Sequence, residues 1–74
     1  MRLPQISGHD LIKILSKFGF VTTRQKGSHV RLEKGEGRNI IKITVPLHDR
    51  LKKGTLLSII KSSKIGINEL EKFF

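Results

Sequence analysis

The chain has 74 residues, with 15 Lys and Arg against 6 Asp and Glu, a formal net charge of +9. That length allows one domain with a small core. The absence of Cys excludes a disulfide staple, a thiolate zinc site and a catalytic thiol. So high a positive charge on so small a body calls for a polyanionic partner, nucleic acid first, then a membrane surface or an acidic protein. No apolar stretch is long enough to span a bilayer. Met1–Gln5 shows no apolar signal core, so a cytoplasmic protein is expected. The aromatics are Phe18, Phe20, Phe73 and Phe74, too few to favour stacking of single-stranded bases on rings.

Ser7 to Phe18 reads as a helix. Ser7 can cap it, with Asp10 three residues on as in a capping box. Leu11, Ile14, Leu15 and Phe18 recur at helical spacing, and Gly19 is the stop signal. Phe20 to Gln25, rich in β-branched and aromatic residues, reads as a strand, with a turn at Lys26-Gly27. Ser28 to Lys34 alternates: Val30 and Leu32 on one face, His29, Arg31 and Glu33 on the other. Gly35-Glu36-Gly37 predicts a tight hairpin. Arg38 to Val45 is the third strand, with Ile41, Ile43 and Val45 on one face and Pro46 as its terminator. Leu47 to Gly54 is a basic loop whose Arg50-Leu51-Lys52-Lys53 stretch could grip phosphates or simply be solvated. Thr55 opens a helix with Leu56, Ile59 and Ile60 on its buried stripe, stopped by Gly66. Asn68 and Glu71 form another capping box, for a short terminal helix.

The order α-β-β-β-α predicts a two-layer α+β domain. Two helices can cover one face of a three-stranded antiparallel sheet, and the other face is left open and polar. Strand parity turns Val30 and Leu32 inward and His29 and Arg31 outward. In the next strand it turns Lys42 and Thr44 outward. His29 is therefore expected across from Lys42 or Thr44, with Arg24 joining them if its parity follows Thr22. Beside ammonium groups a neutral imidazole is favoured, and a bound phosphate favours the charged form. Such a setting suits proton transfer at a phosphodiester. The residues alone leave open that His29 is a solvated residue on a wet sheet face. His9, in the first turn of the first helix, reads as a surface residue, and His48 as either near a bound phosphate or solvated. The three His are too dispersed for metal-ligand spacing, so no metal is expected.

Four segments resemble the HicA-type toxins of type II toxin–antitoxin pairs. They are Ser7-Gly8 with a helix leaving through Phe18-Gly19-Phe20, then Arg24-Gln25-Lys26-Gly27-Ser28-His29, then Val45-Pro46-Leu47-His48, and Gly54-Thr55-Leu56-Leu57-Ser58-Ile59-Ile60-Lys61. Each is weak alone; their order within 74 residues makes the resemblance specific. It implies one HicA-like domain over residues 1–74, with the fold of double-stranded-RNA-binding domains. It implies a metal-independent endoribonuclease that needs no cofactor, cleaves mRNA and so inhibits translation, and has a HicB-type antitoxin as partner. His29 matches the catalytic histidine. Arg24, Lys26, Gly27, Ser28, Lys42 and His48 are the candidate RNA contacts, His48 also being a candidate second acid or base. Val30 follows the histidine where many members carry a polar residue, and Leu57 stands where many carry a basic one. A non-catalytic RNA-binding module of the same fold is the alternative, because fold does not establish activity.

Overall fold

The computed structural model describes residues 3–74. Its elements run α1 (Gly8–Lys17), β1 (Val21–Lys26), β2 (His29–Glu36), β3 (Asn39–Pro46), α2 (Lys53–Ser63) and α3 (Ile67–Glu71). The strands form one antiparallel sheet in the order β1-β2-β3. This is the expected α-β-β-β-α arrangement, followed by the short terminal helix that the sequence also predicts. Among the described residues no helix is long and apolar enough to cross a membrane.

Helix α1 begins where Ser7 Oγ accepts the Asp10 N–H at 3.0 Å. That bond satisfies one of the N–H groups that every helix start leaves without a partner. Leu11, Ile14 and Leu15 form its buried stripe. They meet Val30 and Leu32 of β2, Ile41, Ile43 and Val45 of β3, Leu56, Ile59 and Ile60 of α2, and Leu70 of α3. Phe20, just before β1, is also fully buried. Each such side chain contributes about 1.5–3 kcal/mol relative to exposure. The buried hydroxyl of Ser63 donates to the Ile60 carbonyl at 2.6 Å and accepts from the Ile65 N–H at 3.1 Å. A polar group in the core is thereby satisfied, as burial requires.

Several boundaries differ from the sequence expectation. Both hairpins have two-residue loops, Gly27-Ser28 and Gly37-Arg38. Each puts glycine first, at φ +59° and +60° respectively, the placement that suits a type II′ turn. Gly35 and Glu36 consequently belong to β2, across from Ile40 and Asn39. The Gly-Glu-Gly triplet offered two glycines for the turn, and the second one takes the positive φ. Pro46 is the last residue of β3 rather than a stop beyond it. On an edge strand a missing N–H removes no necessary ladder bond, and Leu47 continues the pairing by donating to the Ser28 carbonyl at 2.7 Å. Helix α2 begins two residues before Thr55. It ends at Lys64, which adopts φ +60° itself, ahead of Gly66. Asn68 lies inside α3, whose N-cap is Gly66 with no side-chain bond. In the loop before α2, Leu51 is buried and its N–H donates to the Ile6 carbonyl at 2.8 Å.

Candidate functional site

The helices cover one face of the sheet, and the register lays the other out as four cross-strand rows. Lys26, His29 and Pro46 form the first row; Arg24, Arg31 and Thr44 the second; Val21, Glu33 and Lys42 the third; Gly35 and Ile40 the fourth. Rows on one face of a sheet lie two residues apart, roughly 6.6 Å.

The first two rows come together through a β-bulge. Thr22 pairs with Leu32, yet Arg24 pairs with Arg31, so Thr23 is an extra residue in β1. Were the Thr22–Leu32 register simply continued, Arg24 would fall opposite Val30 and face the helices. The bulge reverses the parity and sends Arg24 and Lys26 to the face of His29. Thr23 donates its hydroxyl to Glu33 Oε2 at 3.0 Å and lies 3.5 Å from the Arg31 carbonyl oxygen. Arg24 thus joins His29, as the sequence allowed, although its parity is opposite to that of Thr22.

Arg24, Lys26, His29, Arg31 and Thr44 line a shallow depression of about 240 Å³. All five side chains are exposed. Arg24 stands directly opposite Arg31, and Lys26 directly opposite His29. Like charges directly opposite across two strands are destabilising. No acidic residue occupies the first two rows; Glu33 stands in the third. The arrangement suits an anionic ligand, which would meet several donors at once and relieve their repulsion.

His29 lies across from Pro46, not from Lys42 or Thr44. The sequence expectation placed the hairpin at Gly35–Gly37, and the observed turn is farther on, which slides β3 along β2. Thr44 becomes the diagonal neighbour of His29. Lys42 moves two rows away, across from Glu33. Arg31 and Thr44 join the site although no motif marks them; their only signal in the sequence is the outward parity they share with His29. Gly27 and Ser28 form the turn beside the depression, and Gln25 Nε2 braces it by donating to the Gly27 carbonyl at 3.1 Å. His48 is exposed and does not line the depression. Its carbonyl accepts the Gly8 N–H at 2.9 Å, which ties this segment to the start of α1. Arg50, Lys52 and Lys53 gather elsewhere, with Leu3, Pro4, Gln5 and Leu51 around a cleft of about 360 Å³ that contains no histidine. Among the described residues no group of His, Asp and Glu is arranged to hold a metal ion.

A family model described as HicA toxin of bacterial toxin-antitoxin matches residues 8–65, which is 58 of the 74 residues. The match contains α1, all three strands and the whole of α2. No curated protein matches the chain.

Proposed function

We propose that this chain, which belongs to the HicA family of toxins from bacterial toxin–antitoxin pairs, is a metal-independent endoribonuclease that cleaves mRNA and so stops translation. The observation that supports the reading best is the cross-strand placement of Arg24 opposite Arg31, with Lys26 opposite His29, on an exposed face. The facing guanidinium groups repel each other until an anion binds, and they stand beside an imidazole, the side chain most often used for proton transfer.

In the proposed reaction the scissile phosphate sits over the first two rows. His29 takes the proton of the neighbouring 2′-hydroxyl, whose oxygen attacks the phosphorus. The bond to the departing 5′-oxygen breaks and that oxygen takes a proton from water, leaving a 2′,3′-cyclic phosphate and a 5′-hydroxyl end. Positioned proton transfer supplies about 10²–10⁴-fold. Arg24, Lys26 and Arg31 stabilise the negative charge of the pentacovalent transition state. The Thr44 and Ser28 hydroxyls are hydrogen-bond donors at its edge, and Gly27 keeps the turn free of a side chain. Lys42, across from Glu33, stands outside this clamp. His48 does not line the depression, so it is not assigned the role of acid.

The test is a time course with end-labelled single-stranded RNA in EDTA, wild type beside His29→Ala, with an all-deoxy strand as control. The wild type is expected to cut RNA and spare DNA. His29→Ala is expected to bind RNA without cutting it and to melt like the wild type, since His29 is exposed. Cutting of the all-deoxy strand, or cleavage by the alanine variant, would refute the mechanism. Binding without cleavage by the wild type would instead make the chain a passive RNA-binding module.

A further inference from the structure

We infer that the far half of the open sheet face, around Gly35, is a foothold for the cognate antitoxin that family membership implies, and that RNA does not use it. The inference rests on the reading that RNA occupies the first two rows, and it concerns the other two.

The two halves differ in chemistry. The near half carries Lys26, His29, Arg24 and Arg31 with no carboxylate. The far half carries Val21, Glu33, Lys42, Gly35 and Ile40. Val21 is 60% exposed and Ile40 59%, the highest values among the described large apolar side chains. An isolated exposed aliphatic residue needs no explanation. These two, however, stand on the two edge strands with Gly35 on the strand between them. Ile40 is directly opposite Gly35, and Val21 is its diagonal neighbour through Glu33. A Cβ at Gly35 would meet nothing within 4 Å. The result is a trough, floored by bare backbone and walled by two aliphatic side chains roughly 10 Å apart across the sheet.

A phosphodiester chain gains nothing from this trough. Glu33 and Lys42, opposite each other in the third row, offer it no net positive charge, and the aliphatic walls offer neither donors nor a ring for a base to stack on. An aliphatic side chain from a protein fits there, seated on Gly35 between Val21 and Ile40. The neighbouring rows specify the rest of the partner. Arg24, Lys26 and Arg31 call for carboxylates, and the chain's net charge of +9 favours an acidic protein in general. The four rows extend about 20 Å, the length of some six residues of extended chain. The occupant is therefore a segment of the antitoxin with acidic residues toward His29 and an aliphatic residue toward Gly35.

The test uses the full chain, its purified cognate antitoxin and the RNA cleavage assay. One variant combines Val21→Ser with Ile40→Ser and removes the walls. A second, Gly35→Gln, fills the trough without removing any contact of the fold. Both should melt close to the wild type and cleave RNA at the wild-type rate. Both should bind the antitoxin about tenfold to a hundredfold more weakly, the loss typical of truncating central apolar anchors. Unchanged antitoxin affinity in both variants would overturn the inference. So would a parallel loss of RNA binding, which would assign the trough to the nucleic acid. A wild type that cleaves no RNA would sink the ribonuclease reading alone, and the antitoxin affinities would still decide this one.

Discussion

Replacing Gly8 by alanine sets two effects of opposite sign against each other. Inside a helix, alanine is favoured over glycine by about 1 kcal/mol. At Gly8, however, a Cβ would run into the Pro46 carbonyl oxygen, with the Pro46 carbonyl carbon 2.9 Å away and Leu47 Cα 3.1 Å away. These are backbone atoms and cannot swing aside. The start of α1 would have to back away from the end of β3, straining the 2.9 Å bond from the Gly8 N–H to the His48 carbonyl. Overpacking of this kind costs about 1–3 kcal/mol, and the hydrogen bond contributes a further 0.5–1.5 kcal/mol or so. The steric and hydrogen-bond losses outweigh the propensity gain, and the net effect is a destabilisation of about 2 kcal/mol. In a domain of this size each kcal/mol moves Tm by about 4–8 °C, so a drop of roughly 8–16 °C is expected. Gly54 supplies the control. It lies in the first turn of α2 and has nothing within 4 Å of its Cβ position. Gly54→Ala should therefore stabilise by about 0.4–1 kcal/mol. Thermal unfolding followed by circular dichroism reads both variants. If Gly8→Ala melts at or above the wild-type temperature, the close packing of α1 on the strand end is not there.

Arg31→Ala should weaken RNA binding severalfold and flatten the dependence of log affinity on log salt by about 0.7, the loss of one phosphate contact on a single strand. Lys42→Ala, two rows from His29, should leave cleavage nearly unchanged; fluorescence-anisotropy titrations at several salt concentrations, with the cleavage assay beside them, compare the two. An equal effect of both would contradict the row assignment. Gly27→Ala should cost about 1–2 kcal/mol, because φ is +59° there and the space around it is open. Alanine unfolding together with the wild type in the same melting experiment would show that the turn does not need glycine.

Periodicity and strand parity determined much of this protein. Helical spacing of Leu11, Ile14 and Leu15 identified the buried stripe of α1. The alternation about Val30 and Leu32 sent His29 and Arg31 to the open face. Ile41, Ile43 and Val45 did the same for β3, and the apolar residues of all three patterns are buried as their spacing requires. Local rules suffice for such features because a helix or strand repeats its own geometry along the chain. The family's motifs, read in order, agree with the match over residues 8–65. What only the tertiary structure decided concerns pairs of residues distant in sequence. The Thr23 bulge leaves no mark in the alternation of β1, because all of that strand's residues are exposed. Yet it places Arg24 and Lys26 beside His29. The second glycine of Gly-Glu-Gly takes the turn, and this choice alone decides that His29 meets Pro46 and that Lys42 is carried away from it. Leu51 sits within a basic stretch but is drawn into the core, separating Arg50, Lys52 and Lys53 from the sheet face. Gly8 looks like an ordinary helix start until the end of β3 is packed against it. Register, bulges and close backbone approaches are set by what lies across the fold, so a single strand's pattern constrains its faces but not its partners.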